Sequence, residues 1–515
     1  MRRRTFVGAG LGALQLRGAA GGTMKALPRV EGLGARLLFL DAENIAESNG
    51  VQLAPPPVRR IGPLITADSP GDDAGVSAAM GCGQFQLESG GYRLYYSGRG
   101  KEGPAGGICV AESDNGKEWR KPLLGQMRLG GKDSNRILIK GVPDGVMVTQ
   151  PSILPLADGR FRMYFWMHER AGEKRRLRYL AAESRDGLQW VCSNYDKPCL
   201  IHPHELGKGG WLDGPESRAR WQDAGTPSME ESYAKKRIRS NDAVHTYALP
   251  GGGFAMYSVF PVFNSPAMGR YVPEDNAPFI VRVMTRRTSS DGLSWSDPEF
   301  IVTPDAKDPW DQQFYYLTEH RFDDFRIGFL GHYRVQDQTM DIEMAYSRDG
   351  RAWRRPMRGA WIARGAPGSG EAGMLYMPNY LLDRGDHWLV LYTAMDTLHN
   401  QPDHGKRSVF GAEIGRHRFA GFTPLEGRVG RIRTAPYFLS GSRVLLDAKV
   451  EGSLRAELCN AFGQPLPGLS FADSVPVTGD NSSHELRWKK ASAEAYRSYP
   501  VSLRLEWTQG AVFSV

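Results

Sequence analysis

The sequence predicts an all-β protein: a five-bladed β-propeller followed by a small antiparallel β-sandwich. Three observations carry that expectation. A Ser-x-(Asp/Asn)-Gly-x-x-Trp pattern occurs four times, an aromatic-rich alternating strand precedes each copy and recurs once alone, and the strand character changes after Phe422. Composition agrees. The 61 glycines and 33 prolines follow no period, which excludes a collagen-like chain, and 41% hydrophobic with 10% aromatic residues supplies a core that a disordered chain would lack.

Residues 1–25 open with Met1-Arg2-Arg3-Arg4-Thr5-Phe6-Val7, a basic start before an apolar patch that reaches Leu14 and is interrupted at Arg17. The paired arginines resemble a twin-arginine export signal, although no Ala-x-Ala cleavage site follows. The segment therefore reads as an export signal, which would place the protein in the periplasm or outside the cell, with the cytoplasm as the alternative. Its apolar run is far shorter than the roughly 18 residues of a membrane span, so no span is expected.

The blades come next, within residues 38–425. Their alternating strands lie at 91–96, 159–165, 252–257, 325–330 and 387–392, bounded by glycine-rich turns. The turn motifs follow at Ser113–Trp119, Ser184–Trp190, Ser289–Trp295 and Ser347–Trp353, with tryptophans roughly 60 to 100 residues apart, the signature of repeated units. Asp-Gly or Asn-Gly predicts a tight two-residue hairpin with both central residues at positive φ. Ser and Asp side chains tie such a turn to nearby amides, and the Trp is expected to plug the layer between sheets. These motifs are scaffold. The fifth unit, from His387, ends at Ala412-Glu413-Ile414 without one.

Residues 430–515 alternate cleanly at 443–448, 453–458 and 501–507, with turns such as Phe462-Gly463-Gln464-Pro465 between them. This sandwich either binds sugar or braces the propeller. The sequence favours bracing, because no cluster of exposed aromatics is recognisable in it.

A net charge of +8, from 65 basic and 57 acidic residues, is mild at this length. With only the short clusters Lys235-Lys236-Arg237 and Arg354-Arg355, it reads as a solvated surface and gives no nucleic-acid partner. Five cysteines form no CxxC pair. Cys192 and Cys199 would close a short loop in an exported protein, and buried free thiols are the default. His202-x-His204-Glu205 is the single tight His/acid grouping. It is not assigned as a metal site, and no cofactor is expected.

From about Leu38 to the end, blades with Ser-x-Asp-Gly-x-x-Trp turns followed by a β-sandwich resemble glycoside hydrolase family 32 and its relatives, including family 43. The short invertase signatures, a Trp-Met-Asn-Asp-Pro-like stretch, an Arg-Asp-Pro and a Glu-Cys, are absent from the chain. The resemblance implies a carbohydrate substrate in a central funnel, cleaved by carboxyl groups that protonate the leaving oxygen and act as base or nucleophile. It directs attention to the starts of the innermost strands. Counting back from the aromatic strands gives Asp242, Glu371 as general acid, and Asp73 as base or nucleophile, with Asp72 its rival. His245, Arg334, Asp396, His399 and Asp311 are the expected substrate contacts. Two alternatives remain: a non-catalytic carbohydrate-binding propeller, and a glycoside phosphorylase whose phosphate would sit against Arg334, Arg239 and His245.

Overall fold

The repeated turn builds itself the same way four times. In each motif the serine Oγ accepts the glycine amide at 2.8 Å. The Asn or Asp Oδ1 accepts the two following amides at 2.7–2.9 Å. Only the glycine is left-handed, with φ between 72° and 76°. This differs from the expected hairpin with two positive-φ residues. The Asn or Asp side chain itself closes the turn as an Asx-type cap, so its backbone has no need of the left-handed region.

Three of the four turns are gripped by a tyrosine of the preceding blade. Tyr95, Tyr164 and Tyr257 donate their hydroxyls to the carbonyl oxygens of Gly187, Gly292 and Gly350 at 2.8, 2.8 and 2.9 Å. The same tyrosines meet Trp190, Trp295 and Trp353 edge-on, with centroids 6.2, 6.0 and 5.7 Å apart. Arg162, two residues before Tyr164, adds a bond to the carbonyl of Asp291 at 2.6 Å while Glu183 holds its other edge. The tryptophans thus plug between blades as the motif predicts. Trp190 is fully buried and the other three are half-buried.

The computed structural model describes residues 24–26, 36–77, 84–87, 90–171, 174–201, 244–263, 272–275, 280–322, 324–376, 381–401 and 407–515. Within them the chain is almost entirely β, with one short 3-10 turn at Ala493–Tyr496. Blade one pairs Gly75–Ser77 and Gln84–Leu87 with Tyr92–Arg99, followed by Gly107–Ser113. Blade two runs Met147–Pro155, Phe161–Ala171, Lys174–Ser184 and Trp190–Cys192. Blade three runs Val244–Ala248, Phe254–Phe263, Ile280–Ser289 and Glu299–Val302. Blade four is Gln312–Arg321, Arg326–Arg334 and Thr339–Ser347, with bridges to Arg354 and Ile362 at its outer edge. Blade five is Met374–Tyr376 with Leu381–Asp383, then His387–Met395 and Ser408–Gly415.

Blade five takes its outermost strand from the other end of the domain. Val58–Ile65 lies antiparallel to Ser408–Gly415, from Val58 opposite Ile414 to Ile65 opposite Val409. Ile61, Leu64 and Ile65 then pack with Leu382, Leu389 and Leu391 against the blade-one core of Leu94, Tyr96 and Ala111. An early and a late segment of the chain thereby close the ring.

The second domain is one sheet wrapped on itself. Its 17-residue strand Val444–Asn460 pairs with Val477–Leu486, Pro500–Trp507 and Gly510–Ser514. Beyond these lie Gly430–Thr434 with Ile45–Asn49 on one side and Gly421–Pro424 with Val51–Ala54 on the other. The two outer strands are consecutive in sequence, joined at Gly50 with φ 65°, so the sheet curls round a core of Leu446, Leu458, Leu503, Leu505 and Trp507. By pairing, residues 45–54 and 421–424 lie in this sheet rather than in a blade. Arg418 ties the domains, donating to Asp447 at 2.8 Å and standing 4.7 Å from the Phe513 ring centroid.

Cys109, Cys192, Cys199 and Cys459 are buried free thiols. The side chain of Asn194 stands between Cys192 and Cys199, 3.5 and 3.4 Å from their sulfurs, where a disulfide would have had to form. No helix among the described residues is long and apolar enough to cross a membrane.

The turns can be tested in two ways. Tyr164→Phe leaves the Gly292 carbonyl without its hydroxyl partner and should cost about 1–3 kcal/mol in denaturant unfolding. Gly292→Ala should cost more, because φ is 76° and a methyl there collides with Arg162 and the Tyr164 hydroxyl. Acid provides the other test. The amides of Ser294 and Leu293 pull the Asp291 carboxyl down to about 2. Its contribution is therefore complete above the unfolded value of about 3.9 and is lost as pH falls toward 2. Unfolding measured from pH 5 to pH 2 should lose stability across that window, and Asp291→Asn should flatten the slope.

Candidate active site

One end of the ring carries several of the expected site residues. There the inner strands begin, and three of them start opposite the last residues of the second strands: Gly75 opposite Arg99, Gln312 opposite Arg334, Met374 opposite Met395. The segments leading into the inner strands and the loops leaving the second strands therefore share this mouth. It holds Asp73, two residues before Gly75, and Asp311, one before Gln312.

Asp73 is half-buried, and its Oδ1 accepts the Lys101 amide at 2.7 Å. It has no cationic partner among the described residues. Its neighbour Asp72 is fully buried and is scaffold, accepting the Ser69 amide at 3.0 Å, the Tyr96 hydroxyl at 2.5 Å and Lys121 Nζ at 2.7 Å. Asp242 lies outside the described residues, as do Arg239 and the His202–Glu205 grouping.

Glu371 is not the solvent-facing loop acid its glycine-rich surroundings suggest. It is buried, and Oε1 accepts both Arg60 Nη1 at 2.7 Å and the Tyr392 hydroxyl at 2.5 Å. Tyr392 belongs to the second strand of blade five and Arg60 to the fourth. With strands about 4.8 Å apart, the carboxylate lies over the outer part of the blade rather than at the axis. Asp396 orders the same loop, its Oδ1 accepting the amides of Gly370 and Ala372 at 2.9 and 3.0 Å. No bond joins Glu371 to Asp73, whose contacts lie in blade one.

Asp311 and Arg334 do meet. Asp311 Oδ1 accepts Arg334 Nε at 2.9 Å and Nη2 at 2.6 Å. Beside them Trp310 is 52% exposed, a large aromatic surface facing solvent at the mouth. His245 is buried, its ring 5.9 Å from that of Tyr247 and 6.3 Å from that of Tyr257, within the packing between blades three and four.

His399 belongs to a network that sequence reasoning otherwise missed. Its Nδ1 is 3.1 Å from the Tyr333 hydroxyl and its Nε2 is 3.0 Å from the Tyr315 hydroxyl. Tyr333 donates to Asp275 Oδ1 at 2.9 Å, and Gln338 Nε2 donates to the same oxygen at 3.2 Å. Asp275 Oδ2 takes Arg282 Nη1 at 2.8 Å, and Arg282 also donates to Gln313 Oε1 at 2.8 Å. Burial alone would raise the Asp275 carboxyl, but the Arg282 charge and hydrogen bond outweigh it and hold the group below its ordinary value. Burial likewise pushes the Tyr333 phenol up. These residues come from blades three, four and five and are spread between 275 and 399, so no local motif marks them. The pairing of a tyrosine with the predicted Arg334, in His332-Tyr333-Arg334, was the nearest signal.

Among the described residues no group of three side chains is placed to hold a metal ion. Asp275→Ala would leave Arg282 buried without its counter-charge. A loss of about 3–5 kcal/mol in denaturant unfolding is expected.

No protein-family model matches the chain, and no curated protein matches it. Solved structures resemble it in outline. One, described as a glycoside hydrolase, has 16% identity and a TM-score of 0.45 over 70% of this chain and 92% of its own. An N-acetylgalactosamine deacetylase from F. plautii in complex with blood group B trisaccharide has 14% identity and a TM-score of 0.42, over 72% of this chain and 96% of its own. A structure described under the GH130 family of mannoside phosphorylases, said to contain hydrolases of β-1,2 mannosidic linkages, has 13% identity and a TM-score of 0.40, over 70% and 94%. Likenesses of this degree assign neither family nor activity.

Proposed function

We propose that this protein is a glycoside hydrolase that cleaves a glycosidic bond at the mouth of the propeller. The observation that carries the reading is Asp73: a half-buried carboxylate beside the start of an inner strand, with one hydrogen bond from an amide and no counter-cation among the described residues. A carboxylate left unneutralised in such a place suits a base or nucleophile. Asp242, two residues before the inner strand of blade three, is the second carboxyl group of the pair. Glu371 takes a different role from the one its sequence suggests. Its bonds to Arg60 and Tyr392 suit ordering of blade five beneath the mouth. Arg334 and the exposed Trp310 supply a hydrogen bond and a stacking face for a sugar ring, and the buried His399, whose nitrogens face Tyr333 and Tyr315, acts through those tyrosines.

Hydrolysis is favoured over phosphorolysis by the state of Arg334 and Arg282, while Arg239 lies outside the described residues. Arg334 is committed through two nitrogens to Asp311 and Arg282 to Asp275, so neither offers an unneutralised charge to phosphate. An export signal over residues 1–25 suits an enzyme that meets its sugars outside the cytoplasm.

The test is a panel of aryl glycosides, fructans and arabinans, with and without phosphate. The wild type should turn over at least one of them without phosphate. Asp73→Asn and Asp242→Asn should each lose about 10²–10⁴-fold in kcat while keeping the wild-type Tm. Full activity in both variants overturns the assignment, phosphate-dependent turnover replaces it with a phosphorylase, and sugar binding without turnover replaces it with a binding propeller.

A further inference from the structure

Arg136 is fully buried in blade one. It sits at the outer edge, where the Val110 amide donates to Asn135 O and the Ile137 amide to Ile108 O. Residues 135–137 thus lie along the strand Gly107–Ser113, with Arg136 opposite Cys109. The side chain turns inward across the sheet. Nε donates to the carbonyl of Gly71 at 2.8 Å, Nη1 to that of Pro104 at 2.8 Å and Nη2 to that of Gly98 at 3.5 Å. Among the described residues no ion pair joins it to a carboxylate, and Asp72 is paired with Lys121. Glycines clear its path. A methyl on Gly107 would lie 2.6 Å from Arg136 Cδ, one on Gly100 2.8 Å from Nη2, and one on Gly71 3.2 Å from Cγ. None of the three has a positive φ, so room for the arginine, not backbone conformation, accounts for them. Burying a guanidinium against neutral carbonyls costs stability that an apolar side chain in the same channel would not. Three glycines and a buried cation therefore converge on one place, the two segments that frame Asp73.

Those segments are 69–75 and 98–104. In the first, the Asp72 amide returns to Ser69 O at 2.9 Å and the Gly75 amide to Asp72 O at 2.7 Å, a pair of turns that carries Asp73. In the second, the Lys101 amide donates to Asp73 Oδ1 at 2.7 Å, and Arg99 O accepts the Ala74 amide at 2.8 Å. The guanidinium thus holds both ends of the loop that bonds Asp73, and also the turn two residues before it. We propose that Arg136 is the positioning residue for Asp73, its planar fork fixing the two backbone segments whose relative placement aims the carboxylate. The inference rests on Asp73 being the base or nucleophile of the proposed hydrolase. Arg136 acts on it through the backbone, which leaves the carboxylate without a salt bridge while setting its direction.

Hydrogen exchange of the full-length protein, read by mass spectrometry, tests the clamp without any substrate. Arg136→Met fills the channel without the three bonds, and Gly107→Ala displaces the guanidinium while leaving Asp73 and both segments unaltered. In each variant, peptides covering 69–75 and 98–104 should exchange about tenfold or more faster, with those covering Thr339–Ser347 of blade four unchanged. Gly421→Ala, which presses on Phe513 in the second domain, is the control and should leave both segments as in the wild type. Unchanged exchange in Arg136→Met and Gly107→Ala overturns the proposal. If Arg136→Met fails to fold, Gly107→Ala and Arg136→Lys carry the test, since a lysine ammonium lacks the fork that spans the three carbonyls. On any glycoside the wild type cleaves, the same variants should lose about tenfold or more in kcat with KM little changed, and Gly421→Ala should keep wild-type kcat. Wild-type kcat in them makes Arg136 scaffold alone, which overturns the proposal and leaves the hydrolase reading standing. A wild type that cleaves nothing sinks the hydrolase reading, and the exchange result still decides the clamp.

Discussion

The tyrosine hydroxyl that reaches from one blade to the glycine carbonyl of the next is the interaction on which the ring depends. Three successive interfaces use it, at Gly187, Gly292 and Gly350. A carbonyl buried between sheets needs a donor, and the turn's own amides are turned inward toward the Ser and Asp side chains. At all three interfaces the preceding blade supplies a donor to that carbonyl, and at Gly187 the turn's own Trp190 Nε1 shares it at 2.8 Å. Because the tyrosine also meets the motif's tryptophan edge-on, one residue fixes both the spacing and the angle between neighbouring sheets.

The ring departs from this device where it must begin and end. Between blades four and five the sheet is continuous through Met340 and Met374. Between blades five and one, Leu382 and Leu389 lie against Gly116 in place of a tyrosine. The tyrosine of blade five, Tyr392, instead donates to Glu371, which Arg60 of the closing strand also holds. Glu371 is thereby tied to the closing strand, which contributes one of its two partners.

The wide separation of blades in sequence explains why the site was less legible than the fold. Asp311 and Arg334 were visible singly and proved to be partners, since a hairpin of blade four brings them together. His399 was visible, but the reason for its importance was not. Its partners sit on Tyr315, Tyr333 and, through Tyr333, Asp275, which no periodicity relates. Asp72 and Asp73 are indistinguishable as neighbours in a turn, and burial separates them at once: one is enclosed by amides, a tyrosine and a lysine, the other keeps a single amide bond.

By itself the sequence determined the repeat: the residues that close each turn, the aromatic strands, the number of blades and the presence of a second β domain. Those follow from short-range chemistry, in which a side chain bonds amides two or three residues away and strand alternation sets the buried face. Tertiary structure alone decided that residues 58–65 complete the last blade, that 45–54 join the C-terminal sheet, and that Glu371 faces Arg60. These are pairings between segments more than 300 residues apart. Their energy comes from burial and charge compensation between surfaces that meet only once the ring has closed.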